Sequence, residues 1–352
     1  MTVKWRHMAI VSVLVLAACG KVPNASMQRV ALLFSATVET EALTKTGAGA
    51  PNKAMGATYD TRESFVVFAA YTEDVFDSSS RTDYFTASGQ ECSYDNVAGY
   101  WKPENSYFWP VAGYLSFQAY SPSVACEDMA TFAHHWDTGF TFTDFTVRSV
   151  DNQYDLLYTT IVKDIQRYLY DENNPYDELV GDMGSYKGID LPFCHALSLI
   201  EVQASSGLGS VSQTKYYVQK IELKEAYNTG DFSSSSGAWS GQENEVNYDV
   251  IDMGDQWKEL PGNDLEGVSV NPDRVLMLLP QALDHGVSLR VTFKKGSGGS
   301  PQYADVSLTG NWEPGKKYTY KLVFSDYIEF DADIQPWGSV ITGAVTITNT
   351  DD

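Results

Sequence analysis

Residues Val287–Lys294 read Val-Ser-Leu-Arg-Val-Thr-Phe-Lys, a strict alternation of apolar and polar side chains. Because successive side chains of a β-strand point to opposite faces, this period of two predicts a strand with one buried face. The segment Tyr318–Phe324 repeats the pattern and places three aromatic side chains on one face. Amphipathic helices are nearly absent, and Ile161–Tyr170 is the best candidate for one. The pattern predicts an all-β protein.

Further strand-like runs are bounded by clusters of Gly, Pro, Asn, Asp or Ser, which favour turns. These runs are Val30–Thr40, Phe65–Tyr71, Tyr114–Tyr120, Phe140–Val147, Asp155–Ile161, Phe193–Val202, Tyr216–Leu223, Val246–Ile251, Val275–Leu279, Tyr303–Leu308 and Ile328–Ile334. Many short strands separated by turns indicate β-sandwiches or barrels. Three low-complexity stretches, 47–56, 231–241 and 296–300, are predicted to be surface loops.

The chain of 352 residues is long enough for two domains. The stretch Tyr170–Gly188 is acidic, polar and rich in turn formers, which suggests a boundary. We therefore predict β-sandwich domains at residues 30–185 and 186–338, followed by a C-terminal tail at 339–352.

Charge and composition exclude some functions. The chain carries 24 Lys and Arg against 46 Asp and Glu, for a net charge of −22, which repels the phosphates of nucleic acids. Its 16 Phe, 22 Tyr and 8 Trp residues argue against a disordered acidic chain. We expect an acidic, aromatic-rich globular protein that binds no nucleic acid.

The N-terminus predicts export. A basic start precedes the apolar run Met8–Ala18, which is too short to span a bilayer, so residues 1–18 are predicted to be a signal peptide. The last residues of this region, Leu-Ala-Ala-Cys, resemble the lipobox of bacterial lipoproteins, in which the cysteine is acylated. This resemblance implies lipidation at Cys19, a lipidated segment at 19–29 and anchoring in the outer membrane.

Export would place the remaining cysteines in an oxidising compartment. Three cysteines allow at most one intramolecular disulfide. Cys92 and Cys126 both flank predicted loops and are the predicted pair, whereas Cys194 lies in an apolar run and is predicted to be a buried thiol.

No stretch predicts a metal ion, a cofactor or a catalytic centre. The segment Asp171–Asp182 has the acidity of a calcium loop but lacks the glycine of its sharp turn and the closing glutamate. The run His134–Asp137 offers too few zinc ligands, and His195 lies in an apolar run typical of a core histidine. Nucleophile-elbow, zinc-protease and phosphate-loop motifs do not occur, so we expect no enzyme.

A turn-rich stretch is crowded with aromatic residues, Tyr100, Trp101, Tyr107, Phe108 and Trp109. Such a cluster either forms a stacking platform for sugars or caps the end of a sandwich core. The first interpretation leads to an alternative function, a monomeric lipid-anchored surface protein that binds glycans through Tyr100, Trp101 and Trp109.

Several segments, taken in order, resemble the fimbrillin family, the subunits of type V pili in Gram-negative bacteria. They are Val30–Thr46, Tyr107–Pro122, Asp155–Tyr158, Leu191–Ile200, Leu279–Gln281, Trp312–Tyr320 and Asp333–Trp337. The resemblance implies two transthyretin-like β-sandwich domains in tandem, export as a lipoprotein and a place in a cell-surface fimbria. It also implies polymerisation with other fimbrial subunits by donor-strand exchange, in support of adhesion to a host or bacterial surface ligand.

In donor-strand exchange an N-terminal strand is cut away and a strand of the next subunit replaces it. Cleavage after Arg29 would leave the strand at 30–40 in place, whereas cleavage after Lys45, Lys53 or Arg62 would remove it and expose an apolar slot. Lys45 is therefore the preferred processing site and Arg29 the alternative, although the family usually has Arg where this chain has Lys45.

The C-terminal tail has the composition of a strand. Its β-branched apolar residues, Val340, Ile341, Val345 and Ile347, suit a donor strand that fills the groove of a neighbouring subunit. Alternatively, the same residues complete a sheet of their own subunit.

Overall fold

Strands make up nearly all of the regular structure. The computed structural model describes residues 31–38, 63–166, 188–208, 213–262, 275–326 and 328–337. Two short 3-10 helices, Ser123–Asp128 and Val150–Asn152, are the only helices in these ranges. No helix among them is long and apolar enough to cross a bilayer. The all-β class predicted from the period of two is confirmed.

The strands are β1 (Phe34–Val38), β2 (Phe65–Thr72), β3 (Thr82–Asp83), β4 (Gln90–Asp95), β5 (Tyr100–Pro103), β6 (Tyr114–Ser121), β7 (Thr131–His135), β8 (Gly139–Thr146), β9 (Leu157–Thr159), β10 (Val162–Ile165), β11 (Ile189–His195), β12 (Ser198–Ser206), β13 (Tyr216–Ser233), β14 (Ala238–Asp252), β15 (Lys258–Glu259), β16 (Leu276–Leu278), β17 (Ser288–Lys295), β18 (Gln302–Ser307), β19 (Lys316–Phe324) and β20 (Ile328–Pro336).

The first sheet has nine strands in the order β10-β6-β9-β11-β1-β5-β4-β2-β3. Strand β2 also pairs with β6, so seven of these strands close into a ring. The ring encloses a separate hydrophobic cluster, which we call the ring core. Its buried members are Leu32, Phe34, Val38, Phe65, Val67, Ala69, Phe85, Cys92, Trp101, Leu115, Phe117, Ala119, Leu157, Ile189, Leu191 and Phe193.

Two further sheets surround a second, larger core. One has the order β16-β12-β19-β20, and the other has the order β18-β17-β13-β8-β7, with β14 and β15 also paired to β13. Strand β13 therefore joins β8 of the first half of the chain to β17 of the second half. The described residues, from 31 to 337, group as one compact unit. The division into domains at 30–185 and 186–338 stays a prediction.

The two segments with the clearest alternation form β17 and β19. In β17, Leu289 and Val291 are buried, and in β19 the aromatic side chains of Tyr318, Tyr320 and Phe324 all face the larger core. These contacts follow from the alternation, because only one face of each strand reaches the core.

Two local predictions were wrong. Most of the expected loop at 231–241 belongs to the hairpin of β13 and β14, which pair up to Ser233 and Ala238. The expected helix at Ile161–Tyr170 contains strand β10, while residues 167–170 lie outside the described residues. Val162 and Ile165 are three residues apart, a spacing typical of a helix. In the structure the pairing with β6 is irregular between them, and Asp164 has a φ of 59°, so both residues pair with β6 in spite of that spacing.

Candidate functional site

Strand β1 occupies a slot between β11 and β5. It pairs in parallel with β11 over five positions, from Phe34 opposite Ile189 to Val38 opposite Phe193. On its other side it pairs with β5 at a single position, Phe34 opposite Trp101. Because β1 is an interior member of the ring, its two neighbours share no direct pairing, and the ring is closed only while β1 is present.

The inward face of β1 is apolar. Leu32 just before the strand, Phe34 and Val38 are 1%, 0% and 6% exposed. The Phe34 ring meets the rings of Phe117 and Phe65 edge to face, at centroid distances of 5.5 and 6.4 Å. Burying three such side chains contributes about 5–9 kcal/mol of gross hydrophobic free energy.

The outward face of β1 is polar. The hydroxyl groups of Ser35 and Thr37 donate hydrogen bonds to Oδ1 of Asp190, at 3.3 and 3.1 Å. Exposed hydrogen bonds of this kind add little stability, but these two help to align β1 with β11, the strand that carries Asp190. The strand is therefore held by its apolar face and aligned by its polar face.

Backbone hydrogen bonds anchor the start of the slot. The N–H of Leu32 donates to the carbonyl of Tyr107 at 2.8 Å, and the N–H of Ile189 donates to the carbonyl of Leu33 at 2.7 Å. Ala31 also bridges to Phe108. The aromatic stretch at 107–109 thus forms one end of the slot.

Gly188 lets β1 approach the segment that leads into β11. A Cβ at this position would lie 2.5 Å from the backbone carbonyl carbon of Phe34, closer than real Cβ atoms come. The φ of Gly188 is also +94°, which side chains rarely tolerate.

We expect Gly188→Ala to loosen β1. The strained φ and the clash should together lower the free energy of unfolding by about 2 kcal/mol, measured by urea denaturation of the purified chain. Gly254→Ala is the matched control, because Gly254 has a φ of +59° but nothing within 4 Å of its added Cβ. Equal losses in the two variants would show that β1 does not press on position 188.

The aromatic cluster predicted as a sugar platform does not lie on one surface. Trp101 is 3% exposed and packs in the ring core against Phe65 and Tyr94, with centroid distances of 5.1 and 5.2 Å. Tyr100 and Trp109 are partly buried. Stacking on a sugar needs an accessible ring face, so Trp101 cannot serve in such a platform, and the cap on the core is the better description.

The predicted Cys92–Cys126 disulfide is not formed in the structure. Cys92 is buried in the ring core and Cys126 is exposed, and both are free thiols. Burial raises the pKa of the Cys92 thiol well above its ordinary value, so this thiol stays neutral and unreactive. Cys194 is partly buried and packs against the larger core.

Several predicted positions lie outside the described residues. They are Cys19, Arg29, Lys45, Lys53, Arg62, the acidic stretch Asp171–Asp182 and the tail residues Val340, Ile341, Val345 and Ile347. The roles predicted for them stay predictions. Within the described part of the chain, no three His, Cys, Asp or Glu side chains come together as metal ligands do.

His195 is a core histidine, as predicted. It is 3% exposed, and its Nδ1 lies 2.8 Å from Oδ2 of Asp155. Its ring also stacks on Trp337, at a centroid distance of 4.0 Å and an interplanar angle of 7°. This pair ties the end of β11 to the residue that follows β20.

His134 also packs within the fold. Its Nε2 lies 2.8 Å from Oε1 of Gln118, and its ring packs 4.1 Å from that of Phe68. Burial and the nearby Arg81 guanidinium lower the pKa of His134 to about 4. At neutral pH the ring is therefore uncharged.

This lowered pKa predicts a loss of stability in acid. An unfolded histidine has a pKa of about 6.5. The contribution of uncharged His134 to the free energy of unfolding is therefore complete above that pH, and it falls by about 2–3 kcal/mol as the pH drops toward 4. Urea denaturation at pH 7 and pH 4.5 should show a smaller pH effect in His134→Gln than in the unchanged protein. His135→Gln, at the exposed neighbouring position, should keep the full effect. The same pH effect in all three proteins would contradict the assignment.

Sequence reasoning missed three parts of the site: Gly188, Asp190 and Asp155. A single glycine in a polar stretch gives no signal of its own. Asp190 gains its role only because β1 and β11 pair across more than 150 positions of the chain, and Asp155 gains its role from contact with His195 of β11.

Comparisons with known proteins agree with this architecture. Residues 52–348 match the sequence profile of a family described as fimbrillin-like. The solved structure of a fimbrial protein from Bacteroides vulgatus ATCC 8482 aligns with a TM-score of 0.57 at 17% identity, covering 87% of this chain and 99% of that one. A candidate cell adhesion protein from Bacteroides ovatus ATCC 8483 aligns with a TM-score of 0.50 at 13% identity, covering 90% and 99%. A search of curated proteins gives no match.

Proposed function

The chain belongs to the fimbrillin-like family, and we propose that it is exported as a lipoprotein and assembled into a fimbria by exchange of β1 for a strand of another subunit. A fimbrial subunit has a structural rather than a catalytic role. In this proposal Cys19 carries the lipid that anchors the precursor in the outer membrane, and other fimbrial subunits are the partners.

The observation that carries the proposal is the place of β1 in the ring. The strand and Leu32 just before it insert three buried side chains between β11 and β5, and the chain runs from β1 to β2 through residues 39–64. A cut after Lys45 would leave β1 with no covalent link to the ring core. Its loss would uncover an apolar slot and two hydrogen-bonding edges, both of which a new strand would satisfy.

The sequence of the tail supports it as the incoming strand. Along β1 the inward positions are Leu32, Phe34, Ala36 and Val38, which read large, large, small, large. In the tail the alternate positions Ile347, Val345, Gly343 and Ile341, taken in reverse order, read the same way. We therefore expect the tail to enter opposite in direction to β1, antiparallel to β11.

A subunit with an acceptor slot and a donor tail makes a head-to-tail contact that does not close on itself. Repetition of such a contact gives a filament. Apolar burial supplies the free energy, and main-chain pairing supplies direction and register.

The test is the N-terminus of subunits in assembled fibres. N-terminal sequencing should find chains that begin at Thr46, and Lys45→Gln should prevent polymerisation. The matched control Lys53→Gln should polymerise normally. Fibres built of subunits that still begin at the acylated Cys19 would refute strand exchange at this slot.

Deletion of residues 339–352 tests the donor separately. The shortened chain should be processed and folded but should not polymerise. Normal polymerisation after this deletion would show that the tail completes its own sheet and that another strand fills the slot.

The alternative, a monomeric protein that binds glycans through Tyr100, Trp101 and Trp109, has no support from the positions of these side chains. The ring of Trp101 is enclosed in the ring core.

A further inference from the structure

A polar cleft outside the slot opens where five segments meet. They are the loop after β2, strand β6, the β7–β8 turn, the segment joining β9 to β10 and the β13–β14 turn. The cleft has a volume of about 450 Å³, within the range of about 300–1,000 Å³ usual for small-molecule sites. We call it the Trp136 cleft, after the tryptophan in its wall.

The aromatic wall of the cleft is held in place. The rings of Phe76 and Trp136 lie 5.8 Å apart at an angle of 53°. The N–H of Phe76 donates a hydrogen bond of 2.5 Å to Oδ1 of Asp164, and the guanidinium of Arg81 lies 5.8 Å from the centre of the Trp136 ring. Because these contacts hold the backbone of Phe76 and pack the Trp136 ring before any ligand arrives, they lower the ordering cost of binding.

Several polar groups of the cleft are unused. Trp136 is 6% exposed, yet its indole N–H makes no hydrogen bond to any described residue. The carboxylate of Asp137 is exposed and likewise has no hydrogen bond or ion pair among those residues. Oε1 of Gln118 accepts from His134, which leaves the amide N–H groups of Gln118 available as donors.

The opposite side of the cleft is closely packed. The hydroxyl of Ser234 accepts a hydrogen bond of 2.7 Å from the N–H of Phe140, and Thr159 accepts one of 2.8 Å from the N–H of Ala119. Each hydroxyl keeps its own proton for another acceptor. A Cβ at Gly139 would lie 2.2 Å from Oγ of Ser234, so this side of the cleft depends on a glycine there.

The charges of the cleft disfavour an anion. Asp77 and Asp137 are negative, and hydrogen bonds from Ser79 lower the pKa of Asp77, which keeps it ionised. The one lysine, Lys163, lies with its Nζ 5.1 Å from the centre of the Phe76 ring. Two carboxylates against one ammonium group favour a neutral ligand or a cation over an acid.

From this arrangement we propose that the Trp136 cleft binds a neutral pyranose residue of a glycan. Hydroxyl groups both donate and accept, so one sugar can satisfy the carboxylate of Asp137 and the N–H donors of Trp136 and Gln118 together. Phe76 is partly exposed and gives the C–H groups of a pyranose an apolar contact beside Trp136 and Lys163. This binding does not depend on strand exchange and would operate in the precursor and in a fibre.

Saturation-transfer NMR of the full chain with the methyl glycosides of mannose, galactose, glucose and N-acetylglucosamine tests the proposal. At least one of the four should bind, and Asp137→Asn should weaken that binding about tenfold, as expected for loss of one charged hydrogen bond. Trp136→Phe, which keeps the aromatic ring but removes the N–H, should weaken binding about fivefold. Urea denaturation checks that this buried variant still folds.

Asp255→Asn is the matched control, because Asp255 is also exposed and lies away from the cleft. It should bind as the unchanged protein does. Failure of all four glycosides to bind, or equal weakening by Asp137→Asn and Asp255→Asn, would overturn the proposal. Tighter binding of the methyl glycoside of N-acetylneuraminic acid than of the neutral sugars would overturn it too.

Discussion

Phe34→Ala should lower the free energy of unfolding by about 3–5 kcal/mol, the usual cost of removing a buried aromatic ring. Phe34 is 0% exposed, and besides Phe65 and Phe117 its ring contacts that of Phe85, at a centroid distance of 6.5 Å. All three partner rings belong to the ring core. Loss of the Phe34 side chain would leave a cavity in the middle of the slot. No neighbouring strand can move into that cavity without breaking the ring of seven strands.

Ser35→Ala is the matched control for this prediction. Ser35 is the next residue of β1, faces outward and loses only an exposed hydrogen bond of 3.3 Å to Asp190. Its expected loss is within about 0.5 kcal/mol. Urea denaturation gives both values, and hydrogen exchange at the backbone N–H groups of β11 should rise in Phe34→Ala alone. Similar stability of the two variants would mean that β1 adds nothing to the ring core.

His195→Ala should cost about 3–5 kcal/mol through a different mechanism. The side chains of His195 and Asp155 are 1% and 0% exposed, so the substitution removes the imidazole that lies 2.8 Å from a buried carboxyl oxygen. The substitution also takes away the ring that stacks on Trp337. A cavity would therefore open beside a buried carboxyl group.

Asp155→Asn separates the charge from the packing. It keeps the shape of the side chain and an oxygen that can accept a hydrogen bond, so its expected cost is about 1 kcal/mol. Urea denaturation of both variants at neutral pH makes the comparison. A larger loss of unfolding free energy in Asp155→Asn than in His195→Ala would contradict this account of the pair.

Local sequence patterns were sufficient for the fold class. The alternation of apolar and polar residues in β17 and β19 arises because one face of each strand is buried, and it can be read from each segment alone. Trp312 and Trp337 lie in the last two segments that resemble the fimbrillin family, and both side chains are 2% exposed. Binary patterns therefore identify strands and core residues well.

Patterns failed where distant segments decide the structure. Most of the polar stretch at 231–241 is strand because β13 and β14 pair with each other, not because of its own propensity. The place of Trp101 in the ring core depends on Phe65 and Tyr94, which lie on other strands. The Trp136 cleft likewise joins segments from residue 76 to residue 235, a combination that no local pattern contains.

The closed ring also affects how one copy of the chain can contact another. While β1 remains in place, the strands on either side of it offer no unpaired edge to another copy of the chain. Open edges are the usual starting points of uncontrolled aggregation. If the proposed strand exchange operates, β1 would cover these two edges until cleavage removes it, so cleavage would set when this slot becomes available for assembly.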